Sequence, residues 1–415
     1  MAFTERQNEV SLLWTSAFPL WQATVLVRQV QCVGDSEETD WTEVVPTLRW
    51  NYIHTSAQWE VVYRVVLTEI YPECEYEYSV GAGMVWTAGR KFRTWTPYSE
   101  DTPSLGDLDH VAKLIVLGDL GIGSSGDKTR LALSNLLHTS REDAIVHLGD
   151  IAYDMDSLQP SCSRTYFQDM ESLISRIPYM VLPGNHEKFV NYTQYIANFR
   201  MPVTADNEGS NFFYSFNLGR GHFVALSNEH VYDSSDWEQK KHIAWLRKDL
   251  QTANLHREKT PWVVVMTHRP LYCTVNYYLN EQATQPNKDC TFRAEHLKGL
   301  IEDILVEEKV DLFLQAHVHN YQRLTQILHN QTVSGPQDEP HYVRNARAPV
   351  YVVEGAAGNE EGQDWLSPTP QLWTVEQRRE IGFGLLRVVN ASHLYWEHRD
   401  SDTGAVQDYL WLEKS

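Results

Sequence analysis

The heptapeptide Lys113-Leu-Ile-Val-Leu-Gly-Asp119 is a short apolar run that ends in a glycine and a carboxylate. Such a run, closed by a turn residue, predicts a β-strand buried on both faces. Four other apolar runs farther along the chain also lead directly into residues that can bind a metal ion. These residues are Gly149-Asp150, Pro183-Gly-Asn185-His186, Thr267-His268 and His317-Val-His319.

Helical patterns separate these runs, at residues 128–138, 237–253 and 295–308. Apolar strands that alternate with helices predict an α/β layered domain. We place this domain at residues 111–415, because β-type runs near the C-terminus complete it. In open α/β sheets the ligand crevice lies at the carboxyl ends of the strands, so we expect the polar strand ends to converge on one site.

The residue types at these strand ends favour a metal site. Carboxylate, amide and imidazole donors without a thiolate disfavour an iron-sulfur or other soft-metal site. A single Asp after a strand is more often a helix N-cap, and a single His is more often a core or loop residue. Five strand ends that each carry such a residue are hard to explain as separate helix N-caps and core histidines. The glycines before Asp119, Asp150 and Asn185 allow the sharp turns that bring a chain close to a bound group.

The N-terminal part of the chain has a different pattern. Short β-type runs, with the alternation Tyr76-Glu-Tyr78-Ser-Val80, predict an all-β sandwich of the immunoglobulin or fibronectin type III kind over residues 1–96. A stretch rich in proline, serine, glycine and acidic residues follows, and we interpret residues 97–110 as a linker. The predicted strands of the sandwich are residues 9–16, 23–30, 58–68, 75–81 and 90–96.

The composition limits the partners of the protein. Its 415 residues include 35 basic and 55 acidic side chains, a formal net charge of -20. Such a charge repels phosphate backbones and anionic lipid, so neither nucleic acid nor a membrane surface is an expected partner. No apolar run reaches the ~18 residues of a membrane span, and residues 1–14 do not resemble a signal peptide. The five cysteines permit at most two disulfides, with one thiol left over.

A competing motif lies beside the first strand end. Gly121-Ile-Gly123-Ser-Ser-Gly126 matches the dinucleotide-binding fingerprint and stands between a predicted strand and a predicted helix. The same glycines nearly form a phosphate-binding P-loop, but Asp127 is inserted before Lys128 and would direct a carboxylate toward the phosphates. Neither motif explains the amide and imidazole groups at the other strand ends. We therefore interpret the glycines as a flexible loop beside Asp119.

Taken together, the motifs resemble those of the purple acid phosphatases, a family of metallophosphoesterases, and most of all its animal type 7 branch. The resemblance covers nearly the whole chain, including Pro349-Val-Tyr-Val-Val-Glu-Gly-Ala-Ala-Gly358. Its most specific feature is Tyr153, three residues after Asp150, because most other metallophosphoesterases lack a tyrosinate ligand. The resemblance implies a metallophosphoesterase fold for the α/β domain. The matching blocks are Gly118-Asp119-Leu-Gly121, Gly149-Asp150-Ile-Ala-Tyr153, Gly184-Asn185-His186-Glu187, His268 and His317-Val-His319.

The resemblance also implies two metal ions that share Asp150 as a bridging ligand. A phenolate ligand suits a hard trivalent ion, so the implied pair is Fe(III) with a divalent Fe, Zn or Mn ion. The implied ligands of the first ion are Asp119, Asp150, Tyr153 and His319, and those of the second ion are Asp150, Asn185, His268 and His317.

The implied activity is that of an acid phosphatase. Such an enzyme hydrolyses small phosphate monoesters by attack of a metal-activated hydroxide, and His186 would contact the phosphate and protonate the leaving alkoxide. A phosphodiesterase or nucleotidase with the same metals, and a catalytically silent binding protein on this fold, are the alternatives. Loss of a ligand would favour the silent protein, and none is lost.

The chain departs from the family pattern at three places. Ala316 stands where the family usually has a glycine before the His-x-His pair. Residues 274–295 lack the further histidines of the plant members, which leaves His296 as the candidate for a second catalytic histidine. We also expect the family's leader peptide and first sandwich strand to be absent.

Two further expectations concern processing. The glycosylation sequons at Asn191, Asn330 and Asn390, together with the habit of the family, favour a secreted glycoprotein. Cys273 and Cys290 flank the loop after the fourth strand end, and we predict that they form a disulfide. In the chain-entropy model this bridge would stabilise the fold by about 3 kcal/mol.

Overall fold

The computed structural model describes most of the chain, namely residues 1–6, 8–34, 37–55, 58–95, 111–153, 155, 161–204, 206–279, 282–333, 335 and 338–415. The predicted linker at residues 97–110 lies outside these ranges. Among the described residues, no helix is both long enough and apolar enough to span a membrane.

Two antiparallel sheets form the N-terminal region. Their strands are β1 (Ala2–Phe3), β2 (Val10–Ser16), β3 (Thr24–Cys32), β4 (Thr42–Val44), β5 (Leu48–Thr55), β6 (Gln58–Leu67), β7 (Cys74–Ala82), β8 (Val85–Trp86) and β9 (Arg90–Arg93). One sheet has the order β1-β2-β6-β5, and the other has the order β4-β3-β7-β8 with β9 pairing β7. Tyr76 and Tyr78 are buried, as the predicted alternation requires, but at its end Ser79 is buried and Val80 is half-buried. A disulfide joins Cys32 to Cys74, which face each other across β3 and β7.

The structure contains each predicted strand of this region, with end residues that differ from the prediction. The strands β1, β4, β5 and β8 were not predicted. The strands β1, β4 and β8 are too short to show an alternation of their own. The longer β5 does carry one, since Leu48, Trp50 and Tyr52 alternate with polar residues. The two-residue β1 pairs with β2 at the edge of its sheet.

The second region contains two mixed sheets. Its strands are β10 (Ala112–Leu117), β11 (Ala144–His147), β12 (Tyr179–Val181), β13 (Phe213–Leu218), β14 (Gly221–Leu226), β15 (Trp262–Met266), β16 (Asn276–Leu279), β17 (Gln282–Pro286), β18 (Leu312–Gln315), β19 (Tyr321–Leu328), β20 (Gln331–Thr332), β21 (Tyr342–Arg344), β22 (Val350–Glu354), β23 (Thr374–Arg378), β24 (Gly382–Val388), β25 (His393–Asp400) and β26 (Val406–Glu413). Sheet I has the order β12-β11-β10-β24-β25-β26-β21, and sheet II has the order β13-β14-β15-β18-β22-β19-β20 with β23 pairing β19. The strands β16 and β17 form a separate hairpin.

Helices pack against both sheets. They are α1 (Ser124–Thr139), α2 (Ser161–Ile174), α3 (Thr193–Asn198), α4 (Asn228–Asp233), α5 (Asp236–Asn254) and α6 (Ala294–Glu307), with a 3-10 turn at Phe189–Tyr192 and a π-helical turn at Asp289–Arg293. Leu133 of α1 and Met170 of α2 belong to the core that contains sheet I. Leu246 of α5 and Ile301 of α6 belong to a second core with sheet II. This is the layered α/β architecture that the alternating pattern predicted.

Three of the helices, α1, α5 and α6, were predicted from sequence with small errors at their ends. The α5 helix begins with a capping box, in which Ser235 and Glu238 each accept a backbone amide of the other. The α2 helix was missed, although the buried Tyr166, Met170 and Leu173 recur at helical spacing.

The N-terminal sheets pack against the α/β region through apolar and polar contacts. The ring centroids of Phe3 and Phe216 are 5.5 Å apart, and the Tyr78 hydroxyl donates a hydrogen bond to the Ser175 carbonyl at 3.0 Å. An ion pair of 2.6 Å joins Arg90 to Glu171 of α2. Residues of both regions share one continuous core, so the N-terminal region is packed as part of the same molecule.

Candidate metal centre

The strand ends of the two sheets meet at one site. In sheet I, Asp119 follows β10, Asp150 follows β11, and Asn185 lies shortly after β12. In sheet II, His268 follows β15 and His317 follows β18. The strands β10, β11 and β12 are parallel to one another, as are β15 and β18, so each set of carboxyl ends points the same way. The backbone amide of His317 donates to Asp119 Oδ2 at 2.9 Å and joins the sheets at this edge.

Asp119, Tyr153 and His319 form the first group of ligand atoms. The Tyr153 hydroxyl lies 2.8 Å from His319 Nε2 and 3.2 Å from Asp119 Oδ1, and these two atoms are 3.5 Å apart. Donor atoms that share one ion at bond lengths of about 2.0–2.2 Å stand about 3–3.5 Å from each other. The three side chains are therefore spaced as ligands of one ion would be.

Asp150, Asn185, His268 and His317 form the second group of ligand atoms. His268 Nε2 is 3.2 Å from Asp150 Oδ2, 3.2 Å from Asn185 Oδ1 and 3.2 Å from His317 Nδ1. The donor atoms of Asp150, His268 and His317 all lie within 4.8 Å of one another. All the residues predicted as metal ligands thus fall into two compact groups.

The carboxylate of Asp150 gives the clearest sign that cations belong here. Its Oδ1 accepts the backbone amide of His186 at 2.9 Å. Its Oδ2 is buried and accepts no hydrogen bond from the part of the chain that the structure describes. A buried carboxylate oxygen that accepts no hydrogen bond is costly unless a positive charge lies beside it, either a metal ion or the protonated imidazole of His268 at 3.2 Å. The residues present therefore fit the two-metal centre that the sequence motifs imply.

The backbone at the site is strained in a way that is typical of functional positions. Non-glycine residues in the left-handed region cost about 1–2 kcal/mol each and persist where the surrounding structure imposes them. The predicted ligands in this conformation are Asp119 (φ +61°), Asp150 (φ +50°), Tyr153 (φ +42°) and His317 (φ +68°).

Hydrogen bonds to backbone carbonyls orient two of the imidazoles. His268 Nδ1 is 2.8 Å from the Leu148 carbonyl, and His319 Nδ1 is 3.1 Å from the Gly362 carbonyl. An Nδ1–H that donates to a carbonyl leaves the lone pair on Nε2, which is the nitrogen that faces the site in both residues.

The charges at the site couple metal binding to pH. Although burial opposes it, the carboxylate of Asp150 raises the pKa of His268 to about 10, and that of Asp119 raises the pKa of His319 to about 9. Burial and the same two carboxylates raise the pKa of Tyr153 well above its usual value. Metal ions must displace these protons, so we expect metal binding to weaken as the pH falls.

Glycines make room for the ligands. A Cβ on Gly149 would lie 2.6 Å from His268 Nδ1, and a Cβ on Gly184 would lie 2.2 Å from Asp150 Oδ1. A Cβ on Gly118 would lie 2.5 Å from the Cβ of Ala316. The methyl group of Ala316 therefore uses space that Gly118 leaves open, and the departure from the family pattern at this position leaves His317 in place.

Glu187 supports the site in a way that the sequence did not reveal. Its buried carboxylate accepts the backbone amides of Asp150 at 2.9 Å, Ile151 at 2.8 Å and Gly184 at 2.8 Å. Burial and the charge of Asp150 raise the pKa of Glu187 to about 7. The residue thus ties two strand ends together, and its position two residues after Asn185 is the signal that could have identified it.

A buried ionic cluster beside the second group was also not predicted. Arg269 pairs with Glu229 and, at 2.5 Å, with Asp289. Its guanidinium lies 2.8 Å from His317 Nε2 and 3.3 Å from Asn185 Oδ1. Arg269 follows His268 directly in sequence, but its acidic partners come from α4 and from the π-helical turn, so only the fold brings the cluster together.

His186, the predicted proton donor, borders the ligand groups. Its Nε2 is 3.9 Å from Asp150 Oδ2 and 3.7 Å from Glu361 Oε1. The centre of its ring is 4.3 Å from that of Tyr153. The side chain is 16% exposed, so it can reach a substrate that enters from solvent.

His296, the other predicted catalytic residue, lies apart from these groups. It is exposed on α6, and its ring packs edge-on against Tyr232 with centroids 5.3 Å apart. The structure does not bring it into contact with a described residue of either ligand group.

The glycine-rich turn at the start of α1 is held in place, contrary to the flexible loop expected. Glu360 Oε1 accepts the amides of Ile122 at 2.6 Å and Gly123 at 2.8 Å, and Arg130 donates to the Gly121 carbonyl at 2.7 Å. The amides that would bind a dinucleotide phosphate are thus occupied by a carboxylate of the chain itself.

Comparison with known proteins agrees with this geometry. A family model described as calcineurin-like phosphoesterase matches residues 112–321, and one described as iron/zinc purple acid phosphatase-like protein C matches residues 348–409. Fold and site thus define a calcineurin-like metallophosphoesterase. Acid phosphatase type 7 of Homo sapiens is 32% identical to this chain over 355 residues, which cover 85% of this chain and 76% of that protein.

Plant proteins are also similar to this chain. Purple acid phosphatase 18 of Arabidopsis thaliana is 30% identical over 309 residues, covering 72% of this chain and 62% of that protein. The structure of a purple acid phosphatase from yellow lupin (Lupinus luteus) seeds superposes with a TM-score of 0.79 at 20% identity, covering 100% of this chain and 73% of that chain. The chain belongs to the purple acid phosphatases, as its motifs predicted.

Proposed function

We propose that the protein is an acid phosphatase that hydrolyses small phosphate monoesters at a two-metal centre. The observation that carries this proposal is the convergence of buried donor atoms on Asp150 Oδ2, which lies 3.2 Å from His268 Nε2 and accepts no hydrogen bond from the described residues. When bound, a pair of cations neutralises the phosphate and activates water for in-line displacement. Membership in the purple acid phosphatase family supports the same activity.

The donor chemistry supports a mixed pair of ions. The phenol of Tyr153 suits Fe(III), the hard trivalent ion that the first group would hold with Asp119 and His319. The second group offers an amide and imidazoles beside the carboxylate of Asp150, and it suits divalent Fe, Zn or Mn. Because burial keeps the pKa of Tyr153 high, a strongly acidic cation is needed to form the phenolate.

His186 is the proposed proton donor to the leaving group. Its backbone amide is bound to Asp150 Oδ1, which fixes the start of the side chain beside the site. Its imidazole is partly exposed, and its Nε2 lies 3.9 Å from Asp150 Oδ2 and 3.7 Å from Glu361 Oε1. A protonated imidazole in this place can bind the phosphate and transfer its proton to an alkoxide.

The proposal is tested by counting metal ions and measuring phosphate release from the purified protein. We expect about two ions per chain and faster hydrolysis of an aryl phosphate monoester than of its diester. Asp150→Asn should abolish both properties, whereas Asp206→Asn, which changes an exposed carboxylate paired with Lys248, is the matched control. Preference for the diester would favour the phosphodiesterase alternative. A metal-loaded but inactive protein would favour a silent binding protein.

For the N-terminal region we propose a fibronectin type III-like sandwich domain over residues 1–96, followed by the linker at residues 97–110 and the catalytic domain at residues 111–415. The two antiparallel sheets and their shared core support the sandwich. Limited proteolysis tests the boundaries, since first cleavage within residues 97–110 is expected and first cleavage inside either region would contradict them.

We also propose that the protein is secreted and glycosylated. Two disulfides favour an oxidising compartment, and the sequon residues Asn191 and Asn330 are exposed. Asn390 is buried, and its Oδ1 accepts hydrogen bonds from Ser392 and His393, so no glycan is expected there. Glycopeptide mapping of protein from the medium of eukaryotic cells tests this, and retention inside the cells would contradict it.

A further inference from the structure

Asp289 lies against His317, a predicted ligand of the second ion. Its Oδ2 is 3.3 Å from His317 Nε2, and its Oδ1 pairs with Arg269 at 2.5 Å and with Arg293 at 2.8 Å. The residue is buried. A carboxylate that accepts the proton of one imidazole nitrogen orients the ring when the other nitrogen binds a metal.

The two nitrogens of His317 face different surroundings. Nδ1 lies in the second group of ligand atoms, 3.2 Å from His268 Nε2. If Nδ1 offers its lone pair to a metal, Nε2 carries the proton, because a neutral imidazole has one N–H and one lone pair. Arg269 Nη1 is 2.8 Å from Nε2 and has only N–H donors, so it binds this nitrogen only when Nε2 carries the lone pair, and it cannot accept a proton from it. When Nε2 is protonated, the Arg269 N–H is left to Asp289 Oδ1, with which it already pairs at 2.5 Å. Among the described residues around Nε2, Asp289 is the acceptor.

A disulfide fixes the segment that carries Asp289. Cys290, the next residue, is bonded to Cys273, which confirms the bridge predicted from sequence. Asn287 Oδ1 accepts the Asp289 amide at 2.8 Å as the π-helical turn begins. The bridge packs in a small core with Val318, the residue between the two histidines of the His-x-His pair. The bridge therefore contacts the loop of His317 and the turn of Asp289 together.

We propose that Asp289 is a positioning residue for the second metal ion and that the Cys273–Cys290 disulfide keeps it in place. Asp289 accepts the Nε2 proton of His317 and so holds the Nδ1 lone pair toward the site. This role rests on the proposed function, since the ion concerned belongs to the two-metal centre. No described contact joins Asp289 to Tyr153 or His319, so we expect the first ion to depend on Asp289 much less than the second ion does.

The first test is a graded series, Asp289→Asn and Asp289→Ala, in the metal-loaded enzyme. Competition with a chelator, with the ions counted by mass spectrometry, should show second-ion binding weakened about 10–100-fold in the alanine variant and less in the asparagine variant. The first ion and the visible absorption of Tyr153 bound to Fe(III) should remain. Near-ultraviolet circular dichroism verifies that each variant is folded. If the alanine variant does not fold, the test is made with the asparagine variant alone.

Glu229→Gln is the matched control, because Glu229 also pairs with Arg269 but the structure gives it no contact with His317. For the disulfide, Cys273→Ser/Cys290→Ser should weaken retention of the second ion. Cys32→Ser/Cys74→Ser, which removes the bridge of the N-terminal region, should not.

Several results would overturn the role of Asp289. One is wild-type retention of the second ion in Asp289→Ala, and another is an equal loss in Glu229→Gln. Joint loss of both ions and of the absorption from a folded variant would also overturn it, because the effect would not be confined to the ion of His317. If both disulfide variants retain the second ion equally well, the Cys273–Cys290 bridge does not hold Asp289 in place. A wild-type protein without two ions would refute the two-metal centre and, with it, this role.

Discussion

His242 should make the folded state less stable as the pH falls. The residue lies on α5 and is 5% exposed, and its ring centre is 4.6 Å from that of Phe213 and 4.8 Å from that of His230. Its buried Nδ1 has no hydrogen-bond partner within the described ranges. Burial, together with the nearby His230, lowers the pKa of His242 to about 4. In an unfolded chain the pKa of histidine is about 6.5.

The sign of the effect follows from which state binds more protons. Below about pH 6.5 the unfolded chain takes up a proton at position 242, whereas the folded chain does so only near pH 4. Stability is therefore complete above pH 6.5 and is lost as the pH falls toward 4. With these two pKa values, the free energy of unfolding falls by about 2 kcal/mol between pH 8 and pH 5.

His242→Phe removes the titration and keeps an aromatic ring in the cluster. We expect the difference in unfolding free energy between variant and wild type to shift by about 2 kcal/mol in favour of the variant from pH 8 to pH 5. Urea unfolding at a fixed metal content measures this difference, and His256→Phe is the control for loss of an exposed histidine. Parallel stability curves for His242→Phe and the wild type would refute the reasoning. The effect falls in the acidic range where an acid phosphatase works.

Three further predictions concern the site itself. Tyr153→Phe should abolish the visible absorption of the phenolate–Fe(III) pair while circular dichroism remains unchanged, and an uncoloured but iron-loaded and fully active wild type would contradict the assignment. His186→Ala should slow hydrolysis of an alkyl phosphate by about 10²–10⁴ and largely spare a nitrophenyl phosphate, because only the alkoxide needs a proton to leave. Equal losses on both substrates at unchanged metal content would show that His186 only binds the phosphate or positions the metals. Gly184→Ala places a methyl group 2.2 Å from Asp150 Oδ1, so metal analysis should find a folded protein with depleted metal, and a fully loaded variant would show that the strand end can shift.

The residues proposed as metal ligands could be selected from the sequence because each carries a local signal. Asp119 and His268, for example, directly follow apolar runs, and parallel strands bring such ends together without any knowledge of the loops. Asp289 and Glu229 carry no such signal, because they reach the site only through the π-helical turn and α4. The hairpin of β13 and β14 was missed although Phe213-Tyr-Ser-Phe-Asn-Leu218 is rich in aromatic residues and precedes a glycine turn.

The second group of ligand atoms spans two layers of the molecule. Asp150 and Asn185 belong to the ends of sheet I, and His268 and His317 belong to the ends of sheet II. An ion bound by this group would link the two layers, and its binding would raise the free energy of unfolding by about 2.7 kcal/mol at a free-ion concentration one hundred times Kd. We therefore expect the lifetime of the metal-loaded protein in a metal-poor medium to depend on the packing between the sheets as well as on the ligands.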